Sequence, residues 1–161
     1  MKRSLQAFLA LVWIAISSGY ALAHCEVPCG IYADQRRFEH MLEDQQTIAK
    51  AIAQIDDLAG KTDPQSVNQV VRWINTKETH ATNTQHTIAQ YFMTQRIKPG
   101  TDAASKAAYE KKLTAAHAVM VAAMKCKQST DSATAGALRK SILDFYRAYE
   151  GKEPHFDDHD H

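Results

Sequence analysis

The chain has 161 residues, of which 45% are hydrophobic, enough for one domain with a real core. Its 19 basic and 18 acidic residues leave no basic stripe to neutralise phosphates, which argues against nucleic acid as a partner. Three cysteines in an exported protein would ordinarily suggest one disulfide and one thiol left over.

Residues 1–23 read as a cleavable secretory signal peptide. Lys2 and Arg3 form a charged start, 5–16 an apolar run, and Ala21-Leu22-Ala23 an Ala-x-Ala cleavage site. The apolar run is too short and wrongly flanked for a membrane span, so no stable membrane anchor is expected. His24 before Cys25 argues against a lipoprotein, and a single Lys-Arg pair is not a twin-arginine signal. Removing 23 of the 161 residues leaves 138, with 17 basic and 18 acidic side chains and a net charge near −1. The expected location is outside the cytoplasm: periplasm, thylakoid lumen or secreted.

Cleavage after Ala23 would make His24 the first residue of the segment His24-Cys25-Glu26-Val27-Pro28-Cys29-Gly30. A free α-amine and an imidazole on one residue, the amide nitrogen of the next, and thiols at Cys25 and Cys29 then lie within one turn of chain. Planar nitrogen and sulfur donation of this kind suits Ni(II) or Cu(II), and no zinc-finger spacing fits. A Cys25–Cys29 disulfide is the alternative state of the same two residues.

Behind this segment Phe38, Met41, Leu42, Ile48, Ile52 and Ile55 recur at three- and four-residue steps and predict a helix over 35–59, capped by Asp34 and stopped by Gly60. Asp63-Pro64 starts a second helix, with the stripe Val67, Val70, Val71 and Ile74 resuming at Ile88, Tyr91 and Phe92. Its middle, 75–87, is unusually polar, as in a solvated face or a subunit contact; the helix fades near Gln95 before the turn Lys98-Pro99-Gly100. A third helix spans 102–127, with Ala104, Ala108, Leu113, Ala116, Met120 and Met124 inward. The 129–132 loop leads into a fourth, ending near Tyr149 and striped by Leu138, Ile142, Phe145 and Tyr149. The fold class is therefore all-α: an antiparallel up-down-up-down four-helix bundle over 33–151, an irregular metal-binding hook at 24–32 before it, and a His/Asp-rich tail at 152–161 after it. Cys126 is expected to be a half-buried thiol, and His86 and His117 surface or packing residues. His155, His159 and His161 among carboxylates can bind nickel, copper or zinc weakly, or form a solvated end with no role.

His24, Cys25, Pro28, Cys29, Gly30 and Tyr32, opening a short helical protein, resemble the nickel hook of nickel superoxide dismutase, and the likeness extends more loosely to about Tyr149. The resemblance implies a bundle of the same fold assembled as a homohexamer, with the hooks near subunit contacts. It also implies superoxide as substrate and one nickel ion per subunit cycling between Ni(III) and Ni(II). The His24 α-amine, the Cys25 amide and the Cys25 and Cys29 thiolates would be equatorial, the His24 imidazole axial. Pro28, in the family a cis proline, and Gly30 would shape the hook. Tyr32 and Tyr91 resemble two tyrosines beside the open coordination position. Glu39, after Arg37-Phe38, resembles the glutamate that orients the axial imidazole, in a segment one residue shorter here; His80 stands where the family has an arginine. Glu26 replaces a more familiar aspartate.

Two further classes stay open on the residues alone. An exported nickel- or copper-binding or delivery protein would use the same amino-terminal site without turnover. A thiol-disulfide protein fits less well, because the spacing is Cys-x-x-x-Cys and no βαβ pattern surrounds it.

Overall fold

A computed structural model describes residues 34–156; the leader, the hook with His24, Cys25, Pro28, Cys29, Gly30 and Tyr32, and the last five tail residues lie outside the described residues. Four α-helices are present among the described residues: α1 (Gln35–Asp57), α2 (Pro64–His86), α3 (Ala103–Gln128) and α4 (Ser132–Glu150). Helix α2 continues directly into π-helical turns over Thr87–Arg96. Helix α1 packs on α2 and α4, and α3 packs on the same two, which closes the ring of an up-down-up-down bundle. No strand occurs among the described residues.

Local chemistry sets most boundaries. Asp63 accepts from the Ser66 amide at 3.0 Å with Pro64 at the first helical position, and Asp131 accepts from the Ala133 amide at 2.9 Å. Asp102 and Ser105 form a reciprocal capping box at the start of α3. Gly100 lies so close to this first turn that an added Cβ would stand 2.2 Å from the Ser105 carbonyl carbon, which only glycine avoids. Gly151 takes the left-handed conformation, φ 71°, that ends α4.

The core is aromatic at one end of the bundle and aliphatic at the other. Phe38 of α1 is fully buried, with ring centroids of Phe92, Tyr146 and Phe145 at 4.9, 5.0 and 5.2 Å and Tyr149 at 5.9 Å. Ile88, Tyr91, Phe92 and Gln95 are buried along the π-helical turns, where the Ile97 amide donates to the Phe92 carbonyl five residues back at 2.8 Å.

Three sequence expectations are corrected here. Val67, Val71 and Ile74 do not continue the core stripe: all three are exposed, and α2 contributes Lys77, Ala81 and Thr84 to the interior instead. The polar middle of α2 keeps a solvated face, with Asn75, Thr79, Thr82, Asn83 and His86 exposed, while Lys77 turns inward: its Nζ donates to the carbonyls of Cys126 (2.8 Å), Lys127 (2.7 Å) and Ser129 (3.2 Å), closing the open C-terminal end of α3. In α3 the buried line is Ala116, Val119, Ala122, Ala123 and Cys126, while Ala104, Ala108 and Met124 face out. Cys126 is fully rather than half buried, and burial pushes its thiol pKa up.

Candidate metal centre

Asp34 stands at the start of α1, two positions after the motif that ends at Tyr32. Its backbone is already helical and its side chain makes no cap bond, contrary to the expected N-cap. Long-range donors hold the carboxylate instead. Tyr91 Oη donates to Oδ1 at 2.5 Å; Tyr149 Oη and Arg96 Nη2 donate to Oδ2 at 2.6 and 2.7 Å, with Arg96 Nε at 3.2 Å. One carboxylate, 11% exposed, thus ties the start of α1 to the π-helical turns and to α4. Hydrogen bonds to an ionised acceptor are the strong kind, so the joint is firm.

The titration of these groups follows from the geometry. Burial works to raise the Asp34 pKa, but hydrogen bonds from Arg96, Tyr149 and Tyr91 outweigh it and hold the carboxyl below its ordinary value. Burial, then the bond to Asp34, raises both Tyr91 and Tyr149, so both remain neutral phenols. The hydrogen bond to Asp34 raises Arg96 further. The Tyr91 hydroxyl hydrogen is committed to Asp34, leaving that oxygen free to accept. The Arg37 guanidinium lies 4.8 Å from the centroid of the Tyr91 ring, a cation against an aromatic face in the first turn of α1.

Among the sequence-predicted residues that are described, Tyr91 is therefore bonded to Asp34 at the start of α1. Glu39 is exposed on α1, on the turn after Asp34. His80 lies further along the bundle, where its Nδ1 meets Asp44 Oδ1 at 2.6 Å, and the Thr84 hydroxyl reaches Asp44 Oδ2 at 3.4 Å. Burial raises the Asp44 pKa despite the His80 bond. His80 and Glu39 share no bond in this arrangement; Asp44 is the carboxylate that His80 engages. His86 and His117 are both exposed. Sequence reasoning did not single out Arg96 or the second role of Tyr149. Their only signal was a polar tip on an aromatic at the end of a core stripe and a cation in the last turn before a break.

The C-terminal segment also returns to this end. Gln35 Nε2 donates to the His155 carbonyl at 3.0 Å, Tyr146 Oη donates to Gln35 Oε1 at 3.1 Å, and Phe156 packs edge-on against Tyr146 at 5.0 Å.

Among the described residues no three His, Cys, Asp or Glu side chains gather to hold a metal, and no helix is long and apolar enough to cross a membrane. The donors expected for nickel, at His24, Cys25 and Cys29, lie outside the described residues. Cys126, buried against α2 and α4, is not part of that set.

Compared with known proteins, residues 19–153 match the family model of nickel-containing superoxide dismutase, which takes in the hook and the bundle together. No curated protein and no solved structure matches the chain.

Proposed function

The chain belongs to the nickel-containing superoxide dismutase family, and from that premise we propose that it disproportionates superoxide, two anions and two protons giving one dioxygen and one hydrogen peroxide. The observation that carries this reading is a family match that spans the hook motif and the bundle in one stretch. His24, through its α-amine and imidazole, Cys25, through its amide and thiolate, and Cys29 would hold one nickel ion per subunit. When bound, nickel supplies a reversible one-electron Ni(III)/Ni(II) couple, which thiolate and amide donors bring within reach.

The protein's own residues do the rest. Cleavage after Ala23 frees the amine, so export and site assembly are linked, and the mature enzyme is extracytoplasmic. Pro28 and Gly30 would shape the hook so that Cys29 and Cys25 share the metal. Tyr32 and Tyr91 narrow access to small anions. Tyr91 is suited to accept a hydrogen bond from ordered water or from Tyr32, because its own hydrogen is held by Asp34. Glu39 would orient the His24 imidazole, and His80, already paired with Asp44, would serve a separate contact. Subunits would assemble as a homohexamer.

The test is intact mass, metal content and electron paramagnetic resonance of the protein from its native host. The expected result is a chain starting at His24, about one nickel, and a rhombic signal with nitrogen splitting. Full dismutase activity in a protein with one alanine added ahead of His24 would overturn the coordination. Nickel bound without turnover would leave a carrier.

A further inference from the structure

Among the described residues the bundle is not four helices thick along its whole length. Lys77 of α2 reaches the carbonyls of Cys126, Lys127 and Ser129, which sets the end of α3 level with Lys77. Gln45 of α1 donates to the Ala135 carbonyl at 3.1 Å, which sets the first turn of α4 level with Gln45. Past these levels α1 and α2 run on as a two-helix arm with the 58–63 loop at its tip. No residue from 53 to 76 is buried. From Lys77 to Pro64 the arm extends about 20 Å.

On α2, Gln85 donates to the Met120 carbonyl of α3 at 3.1 Å, Ala81 is buried, and Lys77 closes the end of α3, so these three mark the side that faces α3. The same three- and four-residue spacing continues through Ile74, Val70 and Val67, with Val71 beside them. Val67, Val71 and Ile74 are 48%, 52% and 39% exposed. The stripe is the bundle seam carried past the point at which α3 stops. Between Pro64 and Thr76 only Arg72 is charged, a composition that suits the centre of a protein contact better than a solvated helix.

We propose that this arm docks on the same arm of a second copy, antiparallel about a two-fold axis near Val70 and Val71. Two pairs of helices then rebuild a four-helix arrangement in the space beyond α3 and α4. Shape argues for a second copy: the space is two helices wide, and an identical arm brings two helices with the same apolar stripe. Charge argues for it as well. Asp56 and Asp57 stand exposed in the last turn of α1, which holds no base, at the negative end of the helix dipole. An axis at the middle of the arm brings this acidic tip beside Lys125 and Lys127, in the basic last turn of the other copy's α3. The contact lies at the opposite end of α1 from Asp34 and does not rest on the dismutase reading, which its failure would leave untouched.

Sedimentation velocity of the chain beginning at His24 tests the contact. The wild type is expected to form an assembly with an even number of copies. Val71→Glu places a charge where two copies would bury it, and should cut the mass of that assembly to half or less while circular dichroism stays that of a folded bundle. Asp56→Lys with Asp57→Lys, and separately Lys125→Glu with Lys127→Glu, should each weaken association about tenfold or more. All four changes in one chain should restore it, because the facing charges are then exchanged. A wild type that sediments as a monomer or an odd-numbered assembly overturns the proposal, whether another protein or none covers the face. A mass that Val71→Glu leaves unchanged overturns it too, as does a four-change variant that associates no better than either pair alone.

Discussion

Phe38 joins the stability of the bundle to the geometry of the hook exit, so its removal gives the sharpest test. The ring is fully buried and touches Phe92, Phe145, Tyr146 and Tyr149, drawn from the π-helical turns and from α4. Phe38→Ala empties a ring-sized space that rings on three sides cannot close without losing their own tilted and edge contacts. The expected cost is about 4 kcal/mol, within the usual range of about 3–5 for Phe to Ala in a core. That is a large share of the roughly 5–15 kcal/mol that holds a domain folded. For a chain of this size it corresponds to a fall in Tm of about 12–16 °C. Phe38→Leu keeps most of the volume and should cost only about 1–2 kcal/mol. Urea denaturation followed by far-ultraviolet circular dichroism measures both. A loss below about 1 kcal/mol for Phe38→Ala would mean that the aromatic cluster does not anchor α1, and the account of how Asp34 is held would fall with it.

Lys77→Met keeps the stem and removes three bonds to the end of α3; relief of ammonium burial offsets part of the loss, leaving a net destabilisation of about 2 kcal/mol by urea titration. The Asp34 joint limits stability at both pH extremes. A carboxyl whose folded pKa is depressed contributes fully above its ordinary value of 3.8 and is lost as pH falls through the folded value; phenols raised in the fold contribute fully below 10.0 and are lost as pH rises through theirs. Thermal melts should therefore show an acid limb below 3.8 that Asp34→Asn removes, and an alkaline limb above 10.0 that Tyr91→Phe with Tyr149→Phe reduces. Val71→Glu, on an exposed position of α2, should change the stability of the single bundle by less than about 0.5 kcal/mol, and an accompanying change in sedimentation would place a subunit contact on that face.

The sequence made the helices legible because their signals are local. Asp63-Pro64, Asp102 and Asp131 announce starts through bonds to amides two or three residues away, and the stripes through Phe38, Met41, Ile48 and Ile52 or Leu138, Ile142 and Phe145 repeat at the helical step. The first half of α2 misled because Val67, Val71 and Ile74 carry the same periodicity without a neighbour to bury them. Its second half misled the other way, since Lys77 and Thr84 read as surface until partners on α3 and α1 are in place. Cα spacing alone cannot tell a satisfied buried lysine from a solvated one.

Asp34 shows where such reading stops. A short acid just before a helical pattern is best explained locally as an N-cap. Yet the carboxylate is bound by Tyr91, Arg96 and Tyr149, 57, 62 and 115 residues further on. Three charge-assisted donors outweigh one amide bond, so the helix start gives up its cap and the side chain turns to the bundle. The consequence is functional as well as structural. The proposed hook at 24–32 ends two positions before Asp34, whose grip on two other elements of the bundle fixes the start of α1 from which that segment extends. Arg37, one turn on, then presents its cation to Tyr91 at the same joint. In the proposed reaction, a superoxide anion arriving at that joint would meet a cation and a phenol whose hydrogen is already spoken for, which favours entry of the anion and leaves proton donation to water.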